Sequence, residues 1–332
     1  MMALRKIWGY VVLARLCATA LFGQQPQDAN SQAPKSEAAT NQPKTDYVEK
    51  ASQASIFIFD GKTRPCDEQP ADKPLLPIGS GFVAGITNKS VQPTAESRSV
   101  WKVLLTAGHV IHDSSGSIVV RLNRATPGSG FACFAVPLVY DGNHKNIYTL
   151  KDEEAADVAA VILPEMPGTD PVIFSPSLLL DRETMEKGLI KVGTNVLTVG
   201  YFFGYSGQKQ NYPITKFGKI SILTSERWFF NGDWKRFEEA YVVELQNTPG
   251  LSGAPVITYG IEFEPGTFRY RYLPPFVIGI VKGLETVPVK TGIGIVLISQ
   301  GIAAVEPANH LKELLSLIAE DLRRGGSNPA LE

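Results

Sequence analysis

From Ile56 onward the chain reads as short runs of β-branched and aromatic residues broken by Gly, Pro and Asn. Ile56-Phe57-Ile58-Phe59, Ile118-Val119-Val120, Val196-Leu197-Thr198-Val199, Tyr241-Val242-Val243, Val277-Ile278-Gly279-Ile280-Val281 and Ile293-Gly294-Ile295-Val296-Leu297 each have the length and composition of a strand. Many short strands with turn signals between them predict an all-β sandwich or barrel. One segment departs from this pattern: Leu311, Leu314, Leu315, Ile318 and Leu322 recur at helical spacing behind Pro307, with Lys312, Glu313, Glu320 and Asp321 on other faces. A C-terminal helix with one buried stripe is expected there.

The first 53 residues have a different character. Arg5 and Lys6 precede the apolar stretch Ile7 to Phe22, and Ala18-Thr19-Ala20 offers a small-residue cleavage motif, so residues 1–23 read as a secretory signal peptide. Arg15 interrupts that stretch. A spanning helix needs about 20 apolar residues, and a central arginine costs about 2.5–3.5 kcal/mol, so a stable membrane span is not expected. Residues 24–53 are rich in Gln, Ala, Ser, Asn, Pro and Lys and read as a disordered linker, with a pro-segment as the alternative. The remaining domain is placed at residues 54–325.

The chemistry is carried by three segments. Thr106-Ala107-Gly108-His109 follows the apolar run Val103-Leu104-Leu105, Asp157 opens Val158-Ala159-Ala160-Val161-Ile162-Leu163, and Gly250-Leu251-Ser252-Gly253-Ala254-Pro255 is a glycine-bounded turn. A serine hydroxyl is a weak nucleophile at neutral pH. Acyl transfer therefore needs an imidazole to take its proton and a carboxylate to fix the imidazole's tautomer. His109, Asp157 and Ser252 supply these three groups. Taken singly, each segment also has a structural reading: a buried structural histidine, a capping aspartate and an ordinary Gly/Ser/Pro turn.

In their order, and with Gly79-Ser80-Gly81-Phe82-Val83 ahead of His109, the segments resemble the trypsin-like (chymotrypsin-fold) serine peptidases of bacterial type. The resemblance covers the domain from residue 54 to 325. It implies two six-stranded antiparallel β-barrels with a C-terminal α-helix, His109 and Asp157 on the first barrel, and Ser252 on the second. It further implies an oxyanion hole formed by the backbone N–H groups of Gly250 and Ser252. Gln246 would floor the primary specificity pocket, while Lys282 and Gly283 would lie on the strand that pairs with substrate, Lys282 reaching the site or standing in solvent. The expected activity is a secreted or periplasmic endopeptidase acting on protein or peptide substrates. An inactive binding module with the same fold, or a serine esterase using the same triad, would carry much the same sequence.

Two local departures bear on mechanism. Leu251 stands where zymogen-activated animal members of the family carry an aspartate, so activation by insertion of a new N-terminal amine is not expected. Ala254 replaces the second glycine of the family's common run.

Over the whole chain of 332 residues, 44% are hydrophobic and 20% charged, enough to build a full core. A net charge of −1 gives no electrostatic case for nucleic acid. His112 lies three residues from His109, but no Cys or carboxylate motif completes a metal set, so neither metal nor cofactor is expected. Three cysteines are present; loss of Cys17 with the signal peptide would leave Cys66 and Cys133, able to bridge in an oxidising compartment.

Overall fold

The computed structural model describes residues 44–62, 76–87, 100–112, 114, 116–139, 145–150, 156–202, 205, 207, 209–231, 236–246, 248–263, 270–291 and 294–324. All fall within one compact body, Pro43–Glu332. The expected signal peptide and most of the expected linker lie outside them. The linker's last residues do not match the expectation, because Lys44–Ala54 forms helix α1. Val48, Ala51 and Ala54 fall on one face at helical spacing and pack into the core, which compensates for ordering a segment of otherwise polar composition. Helix α1 therefore lies ahead of the expected boundary at residue 54.

Strand β1 (Ser55–Asp60) is buried on both faces. Ile56 and Ile58 enter the main core, whereas Phe57 and Phe59 turn the other way and pack with Val119 and Tyr201. This is the alternation that a continuous apolar strand imposes when both sides are covered. β1 pairs with β2 (Gly79–Thr87) and β4 (Ser117–Asn123), while β3 (Val100–Thr106) follows β2. With β5 (Phe131–Pro137), β6 (Ile147–Tyr148) and β7 (Ala159–Ile162), the hydrogen-bonded path is β5-β4-β1-β2-β3-β7-β6.

β8 (Ile173–Phe174) pairs parallel to β2 at Val83 and Ala84, taking up the edge of β2 beyond the four residues that β1 covers. The first unit is thus a curled sheet of eight strands, not a closed ring of six. Its two ends are joined by a side chain. The buried amide of Asn146 donates to the carbonyls of Pro137, at the end of β5, and Ile162, in β7, and its oxygen accepts from the Ile162 N–H.

The second unit is a closed barrel of the expected six strands: β9 (Asn195–Gly200), β10 (Ile214–Ile222), β13 (Tyr241–Glu244), β18 (Gly294–Pro307), β17 (Val277–Thr291) and β14 (Pro255–Thr258). Each predicted apolar run from Val196 onward lies in one of these strands, apart from Ile293, which is outside the described residues. Two ribbons lie beside the barrel, β11 (Arg227–Asn231) with β12 (Arg236–Glu239), and β15 (Ile261–Phe263) with β16 (Tyr270–Tyr272). Short helical turns include α2 (Gly108–His112) and α3 (Arg182–Glu186).

The C-terminal helix is α4 (Ala308–Arg323), and it starts directly behind Pro307. Leu311, Leu314, Leu315 and Ile318 are buried as their spacing predicts. α4 touches β17 and β18 of the barrel and β7 of the sheet, and its Asp321 accepts from the Tyr148 hydroxyl, so it straddles both units. A curled sheet and a closed barrel, with a C-terminal helix against both, make up a chymotrypsin-like fold. Among the described residues no helix is long and apolar enough to cross a membrane.

Replacing Asn146 by Ala should lower unfolding free energy by about 1–3 kcal/mol, because the Ile162 N–H and two carbonyls lose their partner in a buried place. Urea unfolding of the full chain measures it, and an unchanged midpoint would show that the sheet does not depend on this clasp.

Candidate active site

β3 and β7 run antiparallel with Thr106 opposite Ala159. The register brings the end of one strand beside the start of the other. The chain leaving β3 turns through Ala107 into α2, which carries His109, and the chain entering β7 carries Asp157. The pair meets at short range: the His109 backbone N–H donates to Asp157 Oδ1 at 2.9 Å, and Nδ1 stands 2.7 Å from Oδ2. Both carboxylate oxygens are engaged by one residue.

The Asp157 side chain is 4% exposed and that of His109 43%, so the carboxylate lies behind an imidazole that faces outward. Burial works against ionisation of Asp157, but the hydrogen bonds and charge of His109, joined by the charge of Lys282, outweigh it and hold the carboxyl below its usual range. An ionised Asp157 only accepts, so Nδ1 carries the proton and Nε2 presents the lone pair that a general base needs.

Gly108 makes this contact possible. A Cβ at Gly108 would lie 2.9 Å from Asp157 Oδ1, too close for any side chain unless the carboxylate moved.

Ser252 stands in the turn before β14, in the barrel. Ala254 N–H donates to the Leu251 carbonyl, while Gly253 N–H donates to the Val281 carbonyl on β17. Gly250 and Gly253 have φ of 101° and 83°, which glycine adopts without strain. A Cβ at Gly253 would also collide with the Ser80 carbonyl and the Thr106 Oγ1, so the Ser252 turn lies flat on the strands that lead to His109. Leu251 is fully buried and Ala254 sits equally deep, so the two departures from the family run are accommodated as core residues.

Ser80 on β2 ties these parts together. Its backbone N–H donates to the Ser252 carbonyl at 2.8 Å, and its carbonyl accepts from Thr106 Oγ1 at 2.7 Å. Its hydroxyl donates to the Gly250 carbonyl at 2.9 Å and accepts from the Tyr201 N–H at 2.7 Å. Sequence reasoning noticed Ser80 as part of a motif but not this role. A small hydroxyl residue inside an otherwise apolar strand was the available signal.

Among the described residues, the backbone N–H groups of Gly250 and Ser252 donate to no protein acceptor. The Ser252 Oγ makes no hydrogen bond among the described residues, His109 included.

The remaining candidates separate. Gln246, just beyond β13, is exposed. Gly283 lies at a register shift between β17 and β18. Lys282, the residue inside that shift, does not face a substrate and is not solvated. Its side chain is 2% exposed, with Nζ 2.5 Å from Glu238 Oε2 and 2.6 Å from Glu306 Oε2. The bulge turns Lys282 out of the strand's alternation and toward the interior, where two carboxylates meet it.

A cavity of about 770 Å³ lies elsewhere, between β2, β3 and α4, lined by Ile86, Trp101, Phe174, Leu315 and Leu322. None of the candidate catalytic residues borders it, and it is the gap left where α4 packs on the sheet. Cys133 is disulfide-bonded; Cys17 and Cys66 lie outside the described residues. No group of metal-ligating side chains occurs among the described residues.

No protein-family model and no curated protein matches this chain. Among solved structures it is similar to the Rv3671c protease from M. tuberculosis in its active form, at 17% identity over 88% of this chain and 93% of that one, with a TM-score of 0.42. An inactive form of Rv3671c, a serine-to-alanine mutant, matches at 18% identity over 90% of this chain and 97% of that one, with a TM-score of 0.41. Human heparin binding protein matches at 10% identity over 85% of this chain and 95% of that one, with a TM-score of 0.45.

Gly108→Ala should preserve the fold and displace the Asp157 carboxylate, lowering turnover by about 10²-fold, as an ångström-scale misplacement does. Steady-state kinetics on a chromogenic ester measures this, and unchanged turnover would mean the carboxylate has room to shift. A second expectation concerns acid. Asp157 titrates lower in the folded chain than unfolded, so its contribution to stability is complete above its unfolded pKa of about 4 and is lost as pH falls through the folded value. Urea unfolding from about pH 5 to about pH 3 should show a shallower decline in Asp157→Asn than in the wild type, and parallel declines would remove Asp157 from the acid response.

Proposed function

We propose that the protein is a serine endopeptidase in which Ser252 attacks the scissile carbonyl, His109 Nε2 takes the serine proton and Asp157 holds His109 in the tautomer that allows it. The observation that carries this reading is the double hydrogen bond from His109 to one buried carboxylate. In the first step Ser252 Oγ bonds to the carbonyl carbon as its proton passes to Nε2, and the oxyanion is met by the N–H groups of Gly250 and Ser252. Collapse expels the amine, which takes the proton from His109 and leaves an acyl-enzyme. Water activated by the same imidazole then releases the acid.

Substrates on this reading are proteins or peptides, and the signal-peptide pattern of residues 1–23 supports a secreted or periplasmic site of action. Gln246 offers a neutral amide where a preference for Arg or Lys needs a carboxylate, and Lys282 is engaged by Glu238 and Glu306. Neutral side chains before the cut are therefore expected. One observation favours a second reading: the Ser252 Oγ is not hydrogen-bonded to His109, as in a binding module that has kept the fold without turnover. Catalytic hydrogen bonds often tighten only when substrate is bound, so the endopeptidase reading is preferred.

A fluorophosphonate probe should label Ser252, and Ser252→Ala or His109→Ala should each lose turnover of the order of 10⁶, with little further loss in the double mutant. Asp157→Asn should lose about 10⁴ at neutral pH. An unlabelled wild-type chain with no turnover would establish the binding module; cleavage of esters but not peptides would establish an esterase.

A further inference from the structure

At the main-chain N–H of Asp157 lies a set of charged groups that the proposed triad does not use directly. Glu306, the next-to-last residue of β18, is fully buried, and both of its oxygens are engaged. Its Oε2 accepts from Lys282 Nζ at 2.6 Å and from the Asp157 backbone N–H at 3.2 Å, while Oε1 stands 2.5 Å from His310 Nδ1 on the first turn of α4. Lys282 also meets Glu238 on β12, and its ammonium lies 5.5 Å from the centre of the Phe229 ring. His310 Nε2 is 3.9 Å from Glu239, which Arg182 approaches to 3.8 Å.

Burying an ammonium and two carboxylates costs several kcal/mol per ion before their attraction is counted, and apolar replacement of such sets is often neutral or stabilising. A barrel does not need this cluster in order to close. What the cluster does supply is an acceptor for the Asp157 N–H, a main-chain donor that would otherwise be orphaned in the interior. Asp157 is thereby held at both ends: its carboxylate grips His109 in the sheet, and its peptide N–H is fastened to a residue of the barrel.

Resting on the serine-peptidase reading above, we propose that Glu306 is a positioning residue for the triad, anchoring the Asp157 main chain across the junction of sheet and barrel, with Lys282 and His310 holding the Glu306 carboxylate in place. Burial opposes the charge on Lys282, but Glu306 and Glu238 outweigh that penalty and raise its pKa, so the ammonium stays charged. His310 is raised likewise, burial being outweighed by Glu306, with Glu239 and Glu313 adding to it. Lys282 offsets Glu238 and Glu306, His310 stands against the second oxygen of Glu306, and the Glu306 carboxylate is held where it accepts the Asp157 N–H.

The test compares two triple variants of the full chain, so that neither Lys282 nor Glu238 is left as an unpaired buried charge while His310 keeps Glu239: Lys282→Met, Glu238→Leu with Glu306→Leu, and the same pair with Glu306→Gln. Both remove the ion set, but the Gln form keeps a carbonyl oxygen that can receive the Asp157 N–H. The expected result is a loss of about 10²-fold in kcat with little change in KM for the Leu form, and recovery of most of kcat in the Gln form. The far-downfield proton resonance of the His109 Nδ1–H should broaden or shift in the Leu form and return in the Gln form. Equal kcat and an unmoved resonance in the Leu form would overturn the proposal, as would equal losses in both forms. If Ser252→Ala matches the wild type, the peptidase reading fails instead; the resonance still reports whether Glu306 holds the His109–Asp157 pair.

Discussion

The Ser252 turn and the strand leading to His109, far apart in sequence, are brought together by one small buried side chain, Ser80. Ser80 supplies its N–H to Ser252, its hydroxyl to Gly250 and its carbonyl to Thr106, and it accepts from Tyr201. Ser80 itself is fully buried, where an unmade bond costs more than a made one returns. The nucleophile turn is thus fixed to the strand that leads to His109. A larger residue at position 80 would hold the two surfaces apart, and an alanine would leave the Tyr201 N–H without its acceptor.

A second constraint concerns electrostatics. The Asp157 carboxylate is buried yet ionised, an arrangement that persists only because His109 donates to both oxygens and Lys282 contributes positive charge at longer range. Lys282 is in turn balanced by Glu238 and Glu306. The charges therefore form a chain from α4 and the barrel to the face where His109 meets solvent, and the low dielectric that makes each group expensive also makes each pairing strong. The apolar core around this chain includes Leu251 and Ala254, both fully buried beside Ser252.

Much of this was legible in the sequence. Runs such as Ile56–Phe59 and Val196–Val199 are strands because β-branched and aromatic residues suit a pleated surface covered by neighbours, and the Leu311–Leu322 stripe is helical because its period is 3.6. The order His109, Asp157, Ser252 was readable, as were the glycines of the nucleophile turn. Less legible was the start of the unit. Among the described side chains of Lys44–Ala54 the apolar anchors are Val48, Ala51 and Ala54, too few to distinguish a docked helix from a polar linker without knowing that β9 and β10 lie beside it.

The sequence by itself determined the local periods, the turn positions and the candidates for catalysis, since each of these depends on residues close together in the chain. Tertiary structure alone decided where Lys282 points, because a bulge against β18 removes it from the alternation by which a strand assigns its faces. It also decided that Glu306 and Glu238 are interior groups. A charged residue in an apolar run, as in Ala303-Ala304-Val305-Glu306, signals that some partner exists but not which one. The partner is set by strand register over long sequence separations, and register depends on the whole sheet being assembled. The same holds for the first sheet, whose curl is fastened by Asn146 across strands that no local pattern relates.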